Sequence, residues 1–238
     1  MSRTPDVTVG IHICSGAEWR ATRAILQITD AEIERYPYGE FVTREMERRR
    51  CVFYFSRMTK TRSAGACQYA IDHWGVDQVI VMGTCGGVSE KLKPLDVIQA
   101  TRTIQYDCNN KIRPDSTAVF DMLAVNLDNT WLELPASANL LRGTVASADH
   151  DMTFEDLEPL RRHQVLGADW ESGAIAIVCA LNRVRCAIFR GVTDVPSAAT
   201  VDDARLQFEG YRANTPAIME RLLRLLPYVL RGTPRSSR

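Results

Sequence analysis

Residues 77–82, DQVIVM, run without interruption into Gly83-Thr84-Cys85-Gly86-Gly87, and no other stretch restricts the possible folds as tightly. Val79, Ile80, Val81 and Met82 leave no polar face, so a strand made of them must be covered on both sides, as parallel strands in α/β sheets are. The glycines that follow are expected to form a turn in which the backbone can come close to a ligand, with the Thr84 hydroxyl beside it. The segment lacks the Lys-Ser/Thr of a P-loop and does not match GxGxxG, so no nucleotide-phosphate cradle follows from it.

The rest of the chain alternates in the same style. Residues 7–14 (VTVGIHIC) read as a first strand, broken by Ser15-Gly16, with Ser15 as N-cap of a helix that carries Glu18 and runs to Leu26. His12 within that strand reads as a core histidine with its polar atoms satisfied. Residues 40–55 read as a hairpin turning at a solvated Arg48-Arg49-Arg50, and residues 61–74 as a helix of small residues suited to close packing. Strands are expected at 95–106 and 141–147, the second delivering Asp149-His150-Asp151-Met152 to the same sheet edge. Helices are expected at 118–132 and 153–162 and, after a loop that leads to 204–211, from Thr215 to about Leu230, with a mobile loop at 107–115 and a disordered tail at 231–238. Residues 167–194 place Asp169, Trp170 and Glu171 ahead of an apolar helix, then a strand over 185–192 ending in Thr193-Asp194. An acid near a helix start or in a turn is commonly a cap or a solvated turn residue, but in open α/β sheets ligands bind outside the carboxyl ends of the strands. There Glu18, Glu171 and Asp194 can share one cleft. No repeat, linker or composition shift divides the 238 residues. The expected fold is therefore one α/β domain, a three-layer α/β/α sandwich on a central mixed, mostly parallel sheet.

Composition removes several function classes. Apolar residues at 45% supply a sizeable core, while a formal net charge of zero leaves no electrostatic footprint for nucleic acid or an anionic membrane. No apolar run is long enough to span a bilayer, and residues 1–10 have no signal-peptide pattern. Seven irregularly spaced cysteines fit reduced thiols in a cytoplasmic protein, and four scattered histidines suggest no metal site.

Four motifs in this order resemble the nucleoside phosphorylase/nucleosidase superfamily over nearly the whole chain, from Val7 to about Leu226. They are the G-[ST]-x-G-G segment Gly83–Gly87, the L-K-x-x-D-V segment at 92–97, the acid–aromatic–Glu segment at 169–171 and the [ST]-D ending Thr193-Asp194. The nearest branch is similar to methylthioadenosine/S-adenosylhomocysteine nucleosidases. The resemblance implies Glu18 as general base on an attacking water, Asp194 as the acid facing purine N7 and Arg190 beside the nucleophile. It implies Glu171 on the ribose hydroxyls, Trp170 against the sugar, and Thr84, Cys85, Gly86 and Thr193 around the substrate. Asp151 and Met152 would frame the base, and Phe208 the 5′ substituent. It also implies no cofactor or metal, a small purine nucleoside as partner, and a homodimer whose second copy completes the 5′ pocket near 107–115.

Two features favour water over phosphate. Val81 stands where the phosphorylases carry an arginine, and Cys14-Ser15-Gly16 stands where they carry a phosphate loop; Arg57 or Arg62 could supply charge from elsewhere. Trp170, Asp151 and Gly16-Ala17 depart from the usual pattern. They leave open a futalosine-type or deoxyadenosine-type substrate, a phosphorylase, or a nucleoside-binding sensor without catalysis.

Overall fold

The computed structural model describes residues 8–108 and 123–232. Its strands are β1 (Thr8–Ile13), β2 (Glu34–Tyr36), β3 (Gly39–Met46), β4 (Arg49–Phe55), β5 (Val76–Gly87), β6 (Val97–Gln105), β7 (Val125–Asn126), β8 (Leu141–Ser147), β9 (Val165–Asp169) and β10 (Arg185–Asp194). The α-helices among the described residues are α1 (Gly16–Ile25), α2 (Lys60–Trp74), α3 (Phe154–Arg162), α4 (Ser172–Asn182) and α5 (Ala204–Gly232).

All the strands join one mixed sheet with helices on both faces. β4, β1, β5 and β10 run parallel to one another, and β6, β8 and β9 form a second parallel set. Antiparallel pairings of β10 with β6 and of β5 with β9 link the two sets, so the sheet curls back on itself around β5. The apolar run of β5 alternates between two cores: Ile80 and Met82 pack with Ile218, Met219, Leu222 and Leu226 of α5, while Val79 and Val81 pack with Ala66 and Cys67 of α2 and Ile175 and Cys179 of α4. Burial on both faces is why the run has no polar position. Each parallel set delivers the carboxyl ends of its strands to the seam between the sets, which fixes where a cleft can form.

Several expectations need correction. Gly83–Gly87 is no turn; it is the last part of β5, bonded to β10 and, at Gly86 and Gly87, to β9. The hairpin turns at Glu47 and Arg48, both in the left-handed region (φ 50° and 59°), so Arg49 lies in β4 and is buried rather than solvated. The helix expected at 118–132 is not formed where it can be followed. There Val125–Asn126 pairs with β6, and Asp128 accepts bonds from the Thr130 N–H and hydroxyl, a local turn that competes with helix. Residues 118–122 and 109–115 lie outside the described residues.

The helix expected from Thr215 starts earlier, at Ala204, and takes in residues 204–211 as one helix, α5. The Thr215 hydroxyl donates to the Tyr211 carbonyl and the Asn214 amide to the Thr193 carbonyl, which ties down the turn ahead of Pro216. Arg231 and Gly232 belong to α5; residues 233–238 lie outside the described residues. β9 and β2 had no counterpart in the sequence reading. His12 is fully buried and bonds Ser56 Oγ through Nε2 at 2.8 Å, but its Nδ1 has no partner, so only half of it is satisfied. Burial, helped by the Arg190 charge, holds its pKa near 3, and the ring is neutral.

α5 lies on β10 through a glycine. A Cβ on Gly191 would stand 2.2 Å from Ile218 Cγ2, closer than carbon atoms approach. Gly191→Ala is expected to lower unfolding stability by about 1–3 kcal/mol by forcing α5 off the sheet, read as a lower urea midpoint; an unchanged midpoint would contradict the packing described.

Candidate active site

A cleft of about 380 Å³ opens at the seam of the sheet. Among the residues singled out from sequence, Glu18, Thr84, Cys85, Gly86, Asp151, Met152, Trp170, Glu171, Thr193, Asp194 and Phe208 all line it. Arg190 does not. It is wholly buried beneath the cleft floor.

Glu18 reaches the floor because β1 ends in Ser15, which caps α1. The Glu18 N–H donates to Ser15 Oγ at 3.2 Å and the Ser15 N–H returns a bond to Glu18 Oε2 at 2.9 Å, a capping box. The capping reading of Glu18 and a role in the cleft therefore coexist. Its other oxygen, Oε1, accepts from the Thr84 N–H at 2.6 Å and the Thr84 hydroxyl at 2.7 Å. That approach requires glycine at position 83, where a Cβ would stand 2.7 Å from Glu18 Oε1 and 2.4 Å from Arg190 Nη1.

On the opposite wall, Asp169 ends β9 and Glu171 occupies the N-cap position of α4. Asp169, not Glu171, caps the helix: its Oδ1 accepts from the N–H groups of Glu171 and Ser172, both at 3.1 Å. Arg190 pairs with Asp169 Oδ2 at 2.7 Å and touches Glu171 Oε2 only at 3.4 Å. Burial of Arg190 disfavours its charge, but Asp169, Glu171 and Glu18 around it more than compensate, and it stays a cation. Burial pushes the Glu171 carboxyl from 4.5 up to about 8. Arg190 opposes that shift, and the charges of Asp169 and Glu18 add to it.

Asp194, at the end of β10, is half-buried. Desolvation raises its pKa, and the bond from the Thr193 hydroxyl at 2.5 Å works against the rise. The side walls carry aromatic surface: Tyr106 packs edge-on against the His150 ring, Trp170 is partly exposed, and Phe208 and Tyr211 project from α5. Tyr211 also donates to Ser15 Oγ at 2.8 Å, tying α5 to the α1 cap.

Sequence reasoning passed over Ser15, Met58, Tyr106, Asp169, Gln207 and Tyr211 as lining residues. Tyr211 carried a signal, since it lies three residues beyond Phe208 on one helix face; so did Asp169, two residues before Glu171 at the end of a strand. Tyr106 ends the strand expected at 95–106, where nothing marked its ring as facing a cleft, and Met58 comes from a segment with no periodicity to place it.

The high pKa of Glu171 links folding to pH. Its proton is held more tightly folded than unfolded, so the associated stability is fully present below about pH 4.5 and is lost as pH rises toward 8. The urea midpoint of the ligand-free protein, taken relative to Glu171→Gln, is expected to fall across that window; a midpoint that rises or stays level would contradict the burial of Glu171.

The geometry can be set beside known proteins. Over residues 10–230 the chain matches the model of the phosphorylase superfamily. It is 23% identical to the 5′-methylthioadenosine/S-adenosylhomocysteine nucleosidase of Mycobacterium tuberculosis, over 93% of this chain and 97% of that protein. It is 22% identical to the aminodeoxyfutalosine nucleosidase of Campylobacter jejuni, over 70% of this chain and 76% of that one. Its fold is similar to the crystal structure of the 5′-methylthioadenosine/S-adenosylhomocysteine nucleosidase of Neisseria meningitidis in complex with methylthio-immucillin-A, with a TM-score of 0.76 at 20% identity, covering 92% of this chain and 98% of that one. With its sheet, its seam cleft and a match that spans nearly its full length, the chain belongs to the phosphorylase superfamily.

Proposed function

We propose that the protein is a purine nucleosidase that hydrolyses the N-glycosidic bond of a 5′-modified adenosine of the methylthioadenosine/S-adenosylhomocysteine type, releasing adenine and a ribose derivative. The observation that carries this reading is the composition of the cleft. Five carboxylates line it (Glu18, Asp151, Asp169, Glu171 and Asp194), and among the described lining residues there is no lysine or arginine.

Breaking the bond between the sugar and the base leaves electron density on the purine and positive charge on the ribose. Asp194, whose burial favours the protonated form, is suited to donate a proton to N7 of the leaving base. Glu171 presents its carboxyl to the ribose hydroxyls, and the growing positive charge on the sugar favours its ionised form. Glu18, fixed by Thr84 and Ser15, accepts a proton from the water that forms the new bond to the anomeric carbon. One bond to nitrogen breaks, one bond to oxygen forms, the water's proton goes to Glu18 and the Asp194 proton leaves with the base.

An anionic phosphate finds no partner here. Val81 is buried in the sheet, Arg57 and Arg62 are exposed outside the lining set, and Arg190 is sealed below Gly83. A dianion among five carboxylates and no accessible guanidinium is poorly held, so water is the nucleophile in this reading and phosphorolysis is the alternative it displaces. A futalosine-type substrate is the second reading, supported by relatives at nearly the same identity named aminodeoxyfutalosine nucleosidases. The acids left in place argue against a sensor without catalysis. We also read the protein as a cytoplasmic homodimer. The free state of all its cysteines supports a reducing compartment, and sedimentation at micromolar concentration tests the dimer, a monomer there contradicting it.

The deciding experiment incubates the protein with adenosine, methylthioadenosine, S-adenosylhomocysteine and aminodeoxyfutalosine and scores free base by chromatography, with and without phosphate. Release from one of these without phosphate is expected; strict dependence on phosphate would reject hydrolysis, and tight binding without release would favour a sensor. Asp194→Asn is expected to lower kcat on the preferred substrate by about 10²–10⁴-fold. Near-normal turnover would remove Asp194 from its role.

A further inference from the structure

Asp169 is buried, with its side chain 2% exposed, and no step described above uses it. Yet it is the most heavily bonded carboxylate of the cleft. Oδ1 accepts from the Ser147 hydroxyl at 2.5 Å and from two backbone N–H groups at 3.1 Å; Oδ2 accepts from the Ser172 hydroxyl and faces Arg190 Nε at 2.7 Å. Arg190 Nε also donates to Ser172 Oγ at 3.0 Å, so Asp169, Ser172 and Arg190 form a closed set. Arg190 Nη2 reaches Glu171 only at 3.4 Å, and Nη1 has no partner. One buried guanidinium therefore stands between two acids, 2.7 Å from Asp169 and 3.4 Å from Glu171, and it leans on the one to which the proposed reaction gives no step.

We propose that Asp169 is a positioning residue: by anchoring Arg190 it keeps the guanidinium from capturing Glu171, whose carboxyl is thereby left free for the two hydroxyls of a ribose. A guanidinium drawn fully onto Glu171, beyond the single 3.4 Å contact it makes now, would occupy both carboxylate oxygens in a bidentate pair that a neutral diol cannot displace. The inference rests on the reading of Glu171 as the diol-binding acid, and it makes ribonucleoside selectivity a property of the Asp169–Arg190 pair as much as of Glu171. Burial puts the Glu171 carboxyl at about 8, in keeping with an acid that its neighbouring guanidinium does not fully hold.

Asp169→Asn separates this role from a merely structural one. The amide oxygen can still accept from Ser147, Glu171 N–H and Ser172 N–H, while the amide NH₂ turns a donor toward Arg190 and removes the charge that anchors it. Two readouts follow. The first is the ratio of kcat/KM for adenosine over 2′,3′-dideoxyadenosine, measured by base release for wild type, Asp169→Asn and Glu171→Gln. The second is the Glu171 titration, followed by carbon NMR of ¹³C-labelled glutamate and assigned with Glu171→Gln. Asp169→Asn is expected to reduce the ratio about tenfold, toward that of Glu171→Gln, and to move the Glu171 midpoint to lower pH as Arg190 turns to it.

An unchanged Glu171 midpoint in folded Asp169→Asn would overturn the proposal, as would a wild-type ratio in that variant when Glu171→Gln has lost it. If Glu171→Gln itself keeps the wild-type ratio, the diol reading of Glu171 fails instead, and the Glu171 midpoint in Ser147→Ala, which keeps the Asp169 charge that itself raises Glu171, then decides whether Asp169 holds Arg190 away. Should Asp169→Asn not fold, Ser147→Ala takes its place. Losing that bond lets the Asp169 carboxylate back away from Arg190, and shifts in the same direction of about threefold are expected; no shift in either readout would overturn the proposal.

Discussion

The site depends on one buried cation. Arg190 is fully enclosed, and such a charge is tolerable only with anions at bonding distance. Asp169 meets it at 2.7 Å, Glu171 at 3.4 Å, and Glu18 lies across Gly83 from it. Removing the guanidinium would leave buried carboxylates facing one another, which is why the acids of three separate segments can gather here at all. The sheet supplies the placement: β10 carries Arg190 from below, β5 brings Gly83 and Thr84, and β9 ends at Asp169. Because the glycine-rich half of β5 is paired with β10 and, at its end, with β9, Gly83 and Thr84 stand on a paired strand rather than on a loop.

Rigid placement makes the electrostatics usable. The three acids are each held differently. Glu18 is fixed by donors from Ser15 and Thr84, Glu171 is raised by burial, and Asp194 is raised by desolvation with only Thr193 to offset it. Environments that differ in this way allow like side chains to take base, binding and acid roles in one reaction. The aromatic walls from Tyr106, Trp170, Phe208 and Tyr211 give the same cleft apolar surface for a base and a substituent.

Much of this was legible in the chain and some was not, for physical reasons. The central strand β5 announces itself because burial on both faces leaves an unbroken apolar run, and Ser15 and Glu18 declare a capped helix by local chemistry. β9 was missed because its five residues, VLGAD, are short and contain glycine, and only pairing with β5 and β8 makes them a strand. The segment Gly83–Gly87 was taken for a turn because glycine is usually read as backbone freedom; here glycine is needed for room, since a side chain at Gly83 would strike Glu18 and Arg190. The pairing of Asp169 with Arg190 and Ser147 could not be seen locally, because those partners are distant in sequence.

Glu18, Glu171 and Asp194 are proposed to surround one sugar–base bond. The most direct measurement is a crystal structure of the protein with a non-hydrolysable adenosine analogue. The account expects the ribose hydroxyls on Glu171, the N7 edge of the purine on Asp194 and the anomeric carbon facing Glu18. A bound analogue whose base points away from Asp194, or whose sugar makes no contact with Glu171, would contradict it.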